Sequence, residues 1–473
     1  MPAPFGTTGW STSKVGFGGY RVDCEAREHR EALSLALASG CNLIDTSTNY
    51  GDGGSEELVG EVLQELFQQQ KLRREEVIVV TKVGYVQGGN LDEAQRREQA
   101  GSPYSEMVKV NEDCWHCISP AFLEDQITHS LQRLQLQKLD CVLLHNPEYF
   151  LKVHPDANEY YRRIEAAFRH LEEEVQRGRI HFYGISSNTF PETKTHPEFT
   201  SLEVVTDLAE KISPQHRFRV IQFPLNLLEP GAALEENNGG TTLIEFACKK
   251  GFATLVNRPL NAFSSTGLVR LADFPNHGTK NIAADFKLSM EVATRLEQDF
   301  PGRDWVSAQD IAWAHILRQN FDSLSDIDTW RNVLHYRIRP TLATALDTLS
   351  LQATCQEWVK NYRTASDALF SDFSAYLEQQ SSVVSDKIAG KLDHLIPAIG
   401  DSLTLSQKVI RLYLSIPGIS CVLVGMRQTA YVRDALDLKQ VLPLEACKDA
   451  LIEFSQEIPE LSESVFSEEV SLK

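Results

Sequence analysis

One arrangement recurs along this chain and limits what it can fold into. A short apolar run is followed by a longer stretch with helical period, and the pair repeats. The runs are Lys14–Val22, Asn42–Asp45, Val77–Lys82, Asp140–His145, Arg179–Ile185, Arg219–Phe223, Phe252–Val256 and, much later, Ile419–Val424. Each has the length and apolar character of a buried strand. The stretches between them carry apolar stripes. Leu33, Ala36 and Leu37 share a face within Glu25–Ser39. Leu58, Val59, Val62, Leu63 and Leu66 follow Ser55, which the pattern makes a helix cap. Ser119-Pro120 opens a helix bearing Leu123, Ile127, Leu131 and Leu134, and Glu159–Arg177 is helical by period. Thr200–Glu203, Thr242–Glu245 and Thr404–Gln407 read as capping boxes. Eight strand–helix units give an α/β fold, a (β/α)8 TIM barrel.

The chain has 473 residues, well beyond the roughly 250 of a typical barrel. The excess has a place. After the seventh run the alternation stops, and residues 266–400 read as helical, with Ala308–Leu317, Leu342–Val359 and Ala365–Leu377 as examples. The expected organisation is strands one to seven with their helices in 1–265 and a helical insertion in 266–400. The last barrel helix and strand eight occupy 401–440, and 441–473 forms a C-terminal segment whose end, Ile458–Lys473, is an exposed acidic tail. An insertion after a strand emerges at the face where barrel active sites lie. It serves there as a lid, or it is an outrigger that makes a partner or oligomer contact. Gly84–Ile118 is a second long connection, polar and Gly-containing, and reads as a functional loop or surface flap.

Three successive runs end in ionisable residues. Asn42–Asp45 ends in Asp45, with Tyr50 on the loop beyond; Val77–Lys82 ends in Lys82; Asp140–His145 ends in His145. Singly, each has a bland reading: a turn, a surface aromatic, a solvated lysine, a histidine before Asn-Pro. Jointly, at one end of three neighbouring strands, they point to chemistry. A tyrosine with an ordinary pKa near 10 is a poor acid at neutral pH. A nearby ammonium lowers that pKa, and a carboxylate holds the ammonium in place.

The segments IDTSTNYG (Ile44–Gly51), VVTK (Val79–Lys82) and LLHNP (Leu143–Pro147) occur in an order and spacing that resembles the aldo-keto reductases, from about Val15 to about Leu436. The resemblance implies an NADP-dependent oxidoreductase that transfers hydride between nicotinamide and an aldehyde, ketone or sugar. Tyr50 would be the general acid, Lys82 its electrostatic partner, Asp45 the anchor of Lys82, and His145 the residue that orients the carbonyl oxygen. The DTSxxYG loop is similar to that of aldose dehydrogenases, which implies sugar oxidation as the near rival. A rival of another class is a nicotinamide-binding regulatory or scaffold subunit with little turnover.

The same resemblance implies the cofactor residues. Ser186 and Gln222 match positions that hold the carboxamide, with Asn188 and Asn226 nearby. The chain reads Ser186-Ser187-Asn188 where relatives read Ser-Asn, so the serving side chain stays open. After strand seven, Asn257 and Arg258 stand where many relatives carry a stacking aromatic; a planar guanidinium can stack or reach a phosphate. Arg427, followed by Arg433, is the candidate for the 2′-phosphate, which favours NADP(H) over NAD(H). Tyr20, Trp115 and His116 are candidates for the substrate pocket. Cys114-Trp115-His116-Cys117 has CxxC spacing but lacks a second ligand pair for a structural zinc, so no metal is expected.

Composition excludes other classes. There are 46 basic and 65 acidic residues, a net charge of −19, which repels phosphate backbones and argues against nucleic acid. Nine scattered cysteines suit a reducing compartment better than a disulfide framework. No apolar run reaches membrane-spanning length and Met1–Ser13 lacks a targeting pattern, so a cytoplasmic protein is expected. GxGxxG, Walker and nucleophile-elbow motifs are absent.

Overall fold

A computed structural model describes residues 3–264, 267–275, 281–321, 324, 327–400, 402–438 and 447–463. Its contacts divide the chain into two compact units, 1–262 with 392–456, and 263–391 with 457–473.

The first unit is a closed barrel of eight strands: β1 (Val15–Gly18), β2 (Leu43–Asp45), β3 (Ile78–Val83), β4 (Leu139–His145), β5 (Ile180–Ser186), β6 (Phe218–Pro224), β7 (Ala253–Asn257) and β8 (Cys421–Val424). Every neighbour pair is parallel, and β8 closes the ring between β7 and β1. Helices α1 (Arg27–Ala38), α2 (Gly54–Gln68), α3 (Pro120–Arg133), α4 (Ala157–Gln176), α5 (Leu202–Ile212), α6 (Leu243–Lys250), α7 (Leu405–Leu414) and α8 (Thr429–Leu436) alternate with the strands. The Thr242 and Thr404 capping boxes form as the sequence indicates.

Register explains why the site residues converge. Asp45 pairs with Val80, Lys82 with Leu143, His145 with Ser186, Ser186 with Gln222, and Gln222 with Leu255. Side chains two apart on a strand share a face. Asp45, Lys82, His145, Ser186, Gln222 and Asn257 therefore all lie on the face of Val80, Leu143 and Leu255, the barrel interior. Deeper layers of that face are apolar: Leu43, Ile78, Val80, Cys141, Leu143, Val220, Leu255 and Leu423 pack together. The floor comes from a hairpin not evident in the sequence. Ala3–Pro4 pairs with Ser11–Thr12, and the turn between them buries Phe5 completely in this core with Trp10 against it. The polar layer thus sits at the C-terminal end of the strands on a sealed apolar plug.

Several local expectations need correction. Ser55 is not the cap of α2, which begins one residue earlier; the Ser55 hydroxyl donates instead to the Gly19 carbonyl (3.1 Å). Ser119 makes no capping bond through its side chain. Ser201, not Thr200, caps α5, because Thr200 turns inward to bond the Tyr160 hydroxyl (2.8 Å). Gly84–Ile118 is no bare loop: it holds a helix, Gly89–Gln99, and a three-stranded antiparallel sheet of Tyr85–Val86, Trp115–His116 and Val108–Lys109.

The larger segment of the second unit falls between β7 and α7 in sequence. Asn261–Ser264 and Gly267–Arg270 form a small sheet, followed by helices Ile282–Gln298, Trp313–Gln319, Ile327–Val333, Arg339–Ser350 and Gln356–Leu395. The helix expected over Leu342–Val359 is broken at 351–355. This unit fills its own core: Phe286, Trp330, Leu369, Phe370 and Phe373 are all nearly or fully buried in one cluster. Most of the tail expected at Ile458–Lys473 lies outside the described residues. Among the described residues, no helix is long and apolar enough to cross a membrane.

Candidate active site

Lys82 is the hub. It is fully buried, and its ammonium donates to Asp45 Oδ2 (2.7 Å), the Thr46 carbonyl (2.9 Å) and Tyr50 Oη (3.2 Å). The same ammonium lies 4.6 Å from the centre of the Tyr50 ring. Tyr50 reaches it from a tight turn, Tyr50–Gly53, in which Gly51 and Asp52 both have left-handed backbone (φ 57° and 53°). Asp52 pins that turn: both its carboxylate oxygens accept from the Gly89 N–H at 3.0 Å. His145 completes the group, its ring edge-on to Tyr50 at 5.9 Å.

The electrostatics follow from burial. Desolvation works to neutralise Lys82, but the Asp45 carboxylate and the Tyr50 phenol outweigh it and raise its pKa, so it stays an ammonium. Burial lifts the Asp45 carboxyl, while Lys82 and the Gln222 amide pull it down. Tyr50 corrects the expectation from sequence. Lys82 does favour its phenolate, yet burial is the larger effect and the pKa ends above the ordinary tyrosine value. The resting group is a phenol held against a cation. Burial, Lys82 and His116 hold His145 well below the usual histidine range, so it is a neutral imidazole.

A second layer of polar side chains extends the hub around the barrel mouth. Gln222 Nε2 donates to Asp45 Oδ1 (2.7 Å), and Gln222 Oε1 accepts from Ser186 Oγ (3.0 Å) and Asn257 Nδ2 (3.3 Å). Arg258 reaches Asn188 Oδ1 (3.4 Å) and Glu229 (3.1 Å). Tyr20, 56% exposed, stands edge-on to Tyr50 at 5.4 Å.

Other sequence candidates take different places. His116 is buried behind the site, and its Nε2 donates to the His145 carbonyl (2.8 Å). Trp115 is buried beneath the Lys109 ammonium, 4.1 Å from its ring. Asn226 staples a loop, accepting from the Leu228 and Glu229 N–H groups (both 2.9 Å) and donating to Glu229 (2.7 Å). Arg427 follows β8, partly exposed, close enough to disfavour the charged form of His29; Arg433 is an exposed residue of α8. Cys114 and Cys117 are both buried free thiols. Among the described residues no His, Cys, Asp and Glu side chains gather as a metal site.

The sequence reading missed Ser47, Tyr85, Asn146 and Glu148. Ser47 Oγ lies 3.1 Å from His145 Nδ1, and the Tyr85 ring is 4.7 Å from the His145 ring. Asn146 donates to Tyr85 Oη (2.8 Å). Ser47 and Asn146 lie inside the quoted motifs and Glu148 directly follows one, so closeness to Asp45 and His145 was the available signal.

A profile of the Aldo/keto reductase family matches residues 14–298, more than half of the chain. The chain belongs to this family. Among characterised relatives, it is 25% identical over 210 residues to an NADH-specific methylglyoxal reductase of Escherichia coli, covering 43% of this chain and only 56% of that protein. It is 24% identical over 302 residues to an NADP(+) aldo-keto reductase of Schizosaccharomyces pombe, covering 63% of this chain and 72% of the relative. In three dimensions it resembles a glycerol dehydrogenase of Gluconobacter oxydans, with 16% identity, a TM-score of 0.50, and 97% and 96% of the two chains covered. That likeness concerns the fold.

Proposed function

We propose that this family member is an NADP-linked oxidoreductase acting on an aldehyde, ketone or sugar, with Tyr50 as general acid. The observation that carries the reading is the Lys82 ammonium bonded at once to Asp45 Oδ2 (2.7 Å) and Tyr50 Oη (3.2 Å) at the open end of the barrel. When bound, a reduced nicotinamide supplies the hydride. A carbonyl oxygen set beside Tyr50 and His145 becomes an alkoxide as hydride arrives, and it needs a proton and a positive neighbour. Tyr50 gives the proton, and Lys82 stabilises the phenolate left behind. Asp45 keeps the lysine charged. The phenol's raised pKa keeps the proton on Tyr50 until the oxygen develops charge. In the oxidative direction the same atoms work backwards, with Tyr50 as base.

The residues around the mouth fit a nicotinamide carboxamide, which both donates and accepts hydrogen bonds. Ser186, Asn188, Gln222 and Asn257 offer both kinds of group, and Asn257 Oδ1 is buried without a hydrogen-bond partner. Arg258 and Arg427 are the cations we assign to the phosphates, in a chain of net charge −19. The name of the yeast relative supports NADP. The name of the E. coli relative supports NAD and is the one specific reason to test both.

Titrating the protein with NADPH and NADH, by quenching of its six tryptophans and by calorimetry, tests the cofactor assignment. Tighter binding of NADPH is expected. Failure to bind either would remove the enzyme reading and leave a partner-binding role for residues 263–391.

A further inference from the structure

We infer that Glu148 is a positioning residue that clamps the loop after β5 to the loop after β4, and thereby tunes how tightly the nicotinamide site holds its cofactor. The inference rests on the reading that His145 and Asn188 serve one site. Glu148 lies three residues beyond His145 and is 1% exposed. Its Oε1 accepts the Asn188 N–H at 2.8 Å. Two residues earlier on each segment, the Asn146 N–H donates to the Ser186 carbonyl at 2.7 Å. These two bonds tie the segment behind His145 to the segment carrying Ser186 and Asn188. Through the Asn188 side chain the clamp also reaches Arg258.

Packing alone does not call for a carboxyl here. Oε2 is buried, with the Ser187 hydroxyl near enough to favour its charge but no well-formed hydrogen bond, and a buried, poorly satisfied carboxyl is costly. Around it the Ser187, Thr189, Thr200 and Tyr160 hydroxyls bond mainly to one another: Tyr160 to Thr200 at 2.8 Å, Thr189 to Thr200 at 3.0 Å. What a carboxylate adds over an amide is a charge-assisted bond to the Asn188 N–H. The groups that bear on its charge are the Glu148 and Asn188 backbone N–H groups, the Ser187 hydroxyl and Lys152, which favour the ionised form, and the Tyr85 and Tyr160 phenols, whose own ionisation it opposes. Burial is the largest effect and lifts the Glu148 carboxyl to about 7. The sign follows. Above that pH the carboxylate grips the Asn188 N–H. Below it a neutral acid accepts more weakly and the clamp slackens.

The test is NADPH binding to the full chain, followed calorimetrically from about pH 6 to about pH 8, for wild type, Glu148→Gln and Glu148→Ala. Wild-type affinity is expected to rise about fivefold across that range, the gain of a charge-assisted over a neutral bond. Glu148→Gln keeps the shape and a neutral acceptor. It should bind at every pH as wild type does at the acidic end. All other titrating groups, those of the cofactor included, are common to both proteins, so the difference in slope belongs to Glu148. Glu148→Ala should raise the KM for NADPH about tenfold while kcat at saturation stays within about twofold. A Gln variant with the wild-type slope, or an Ala variant with wild-type affinity, would overturn the clamp. If Glu148→Ala does not fold, the Gln slope alone decides. Wild type binding neither NADPH nor NADH would overturn the functional reading and the clamp together, an outcome distinct from a bound cofactor with an unchanged slope.

Discussion

Gln222 and Asp45 are joined across the barrel mouth, the Gln222 amide donating to Asp45 Oδ1 at 2.7 Å although 177 positions separate them. With Lys82 on the other oxygen, both atoms of a buried carboxylate are satisfied. The bond runs from the proposed carboxamide site to the carboxylate that holds Lys82, so the proposed cofactor and proton-transfer residues share one polar network.

Gln222→Leu cuts that network at its centre. Asp45 Oδ1 loses its donor, which costs about 1–3 kcal/mol for a buried polar atom. The expected result is a melting temperature lower by several degrees and weaker NADPH binding, read by thermal unfolding and calorimetry. Unchanged values for both would mean that the amide contributes nothing to either.

The pH dependence of the two directions should diverge. Burial raises the Tyr50 pKa above its ordinary value, so the phenol persists until the pH exceeds about 10. Carbonyl reduction, which needs the phenol, should lose no activity to Tyr50 below that pH. Alcohol oxidation, which needs the phenolate, should climb as pH rises towards it. His145, neutral through burial, should contribute no step near pH 6.5. Initial rates in both directions check this.

Gly84 is predicted to tolerate no side chain. A Cβ there would lie 2.5 Å from the His145 carbonyl oxygen and 2.7 Å from His116 Nε2. Gly84→Ala should displace the His116–His145 bond, destabilise by about 1–3 kcal/mol and lower kcat. Denaturant melts and steady-state rates are the measurements.

Arg427→Ala should weaken NADPH more than NADH, by about tenfold for the loss of one charge-assisted pair. Equal loss for both cofactors would take Arg427 out of the 2′-phosphate site.

The barrel was legible because its strands are short, apolar and separated by striped helices, a pattern few folds share. The four residues proposed for catalysis could be picked out because each ends an apolar run or follows one closely. Other features depend on contacts far apart in sequence. Nothing in Phe5 says that it plugs the barrel, since its partners lie at Leu43, Ile78 and Cys141. His116 reads from sequence as a substrate-pocket candidate because only the fold shows it bonded to the carbonyl of His145. The Tyr50 pKa was misread because the sequence shows the cation but not the burial that outweighs it. Ser55 looked like a cap because its spacing is right, but the preceding Gly53, with φ 93°, lets the helix start earlier.

The central claim is that Tyr50 delivers the proton for hydride transfer. Wild type and Tyr50→Phe should be mixed with NADPH and a panel of aldehydes, ketones and sugars, with turnover followed by nicotinamide absorbance and cofactor binding by calorimetry. The account predicts turnover by wild type, a loss of about 10²-fold to 10⁴-fold in Tyr50→Phe, and unchanged NADPH affinity. Tyr50→Phe turning over at the wild-type rate would contradict it.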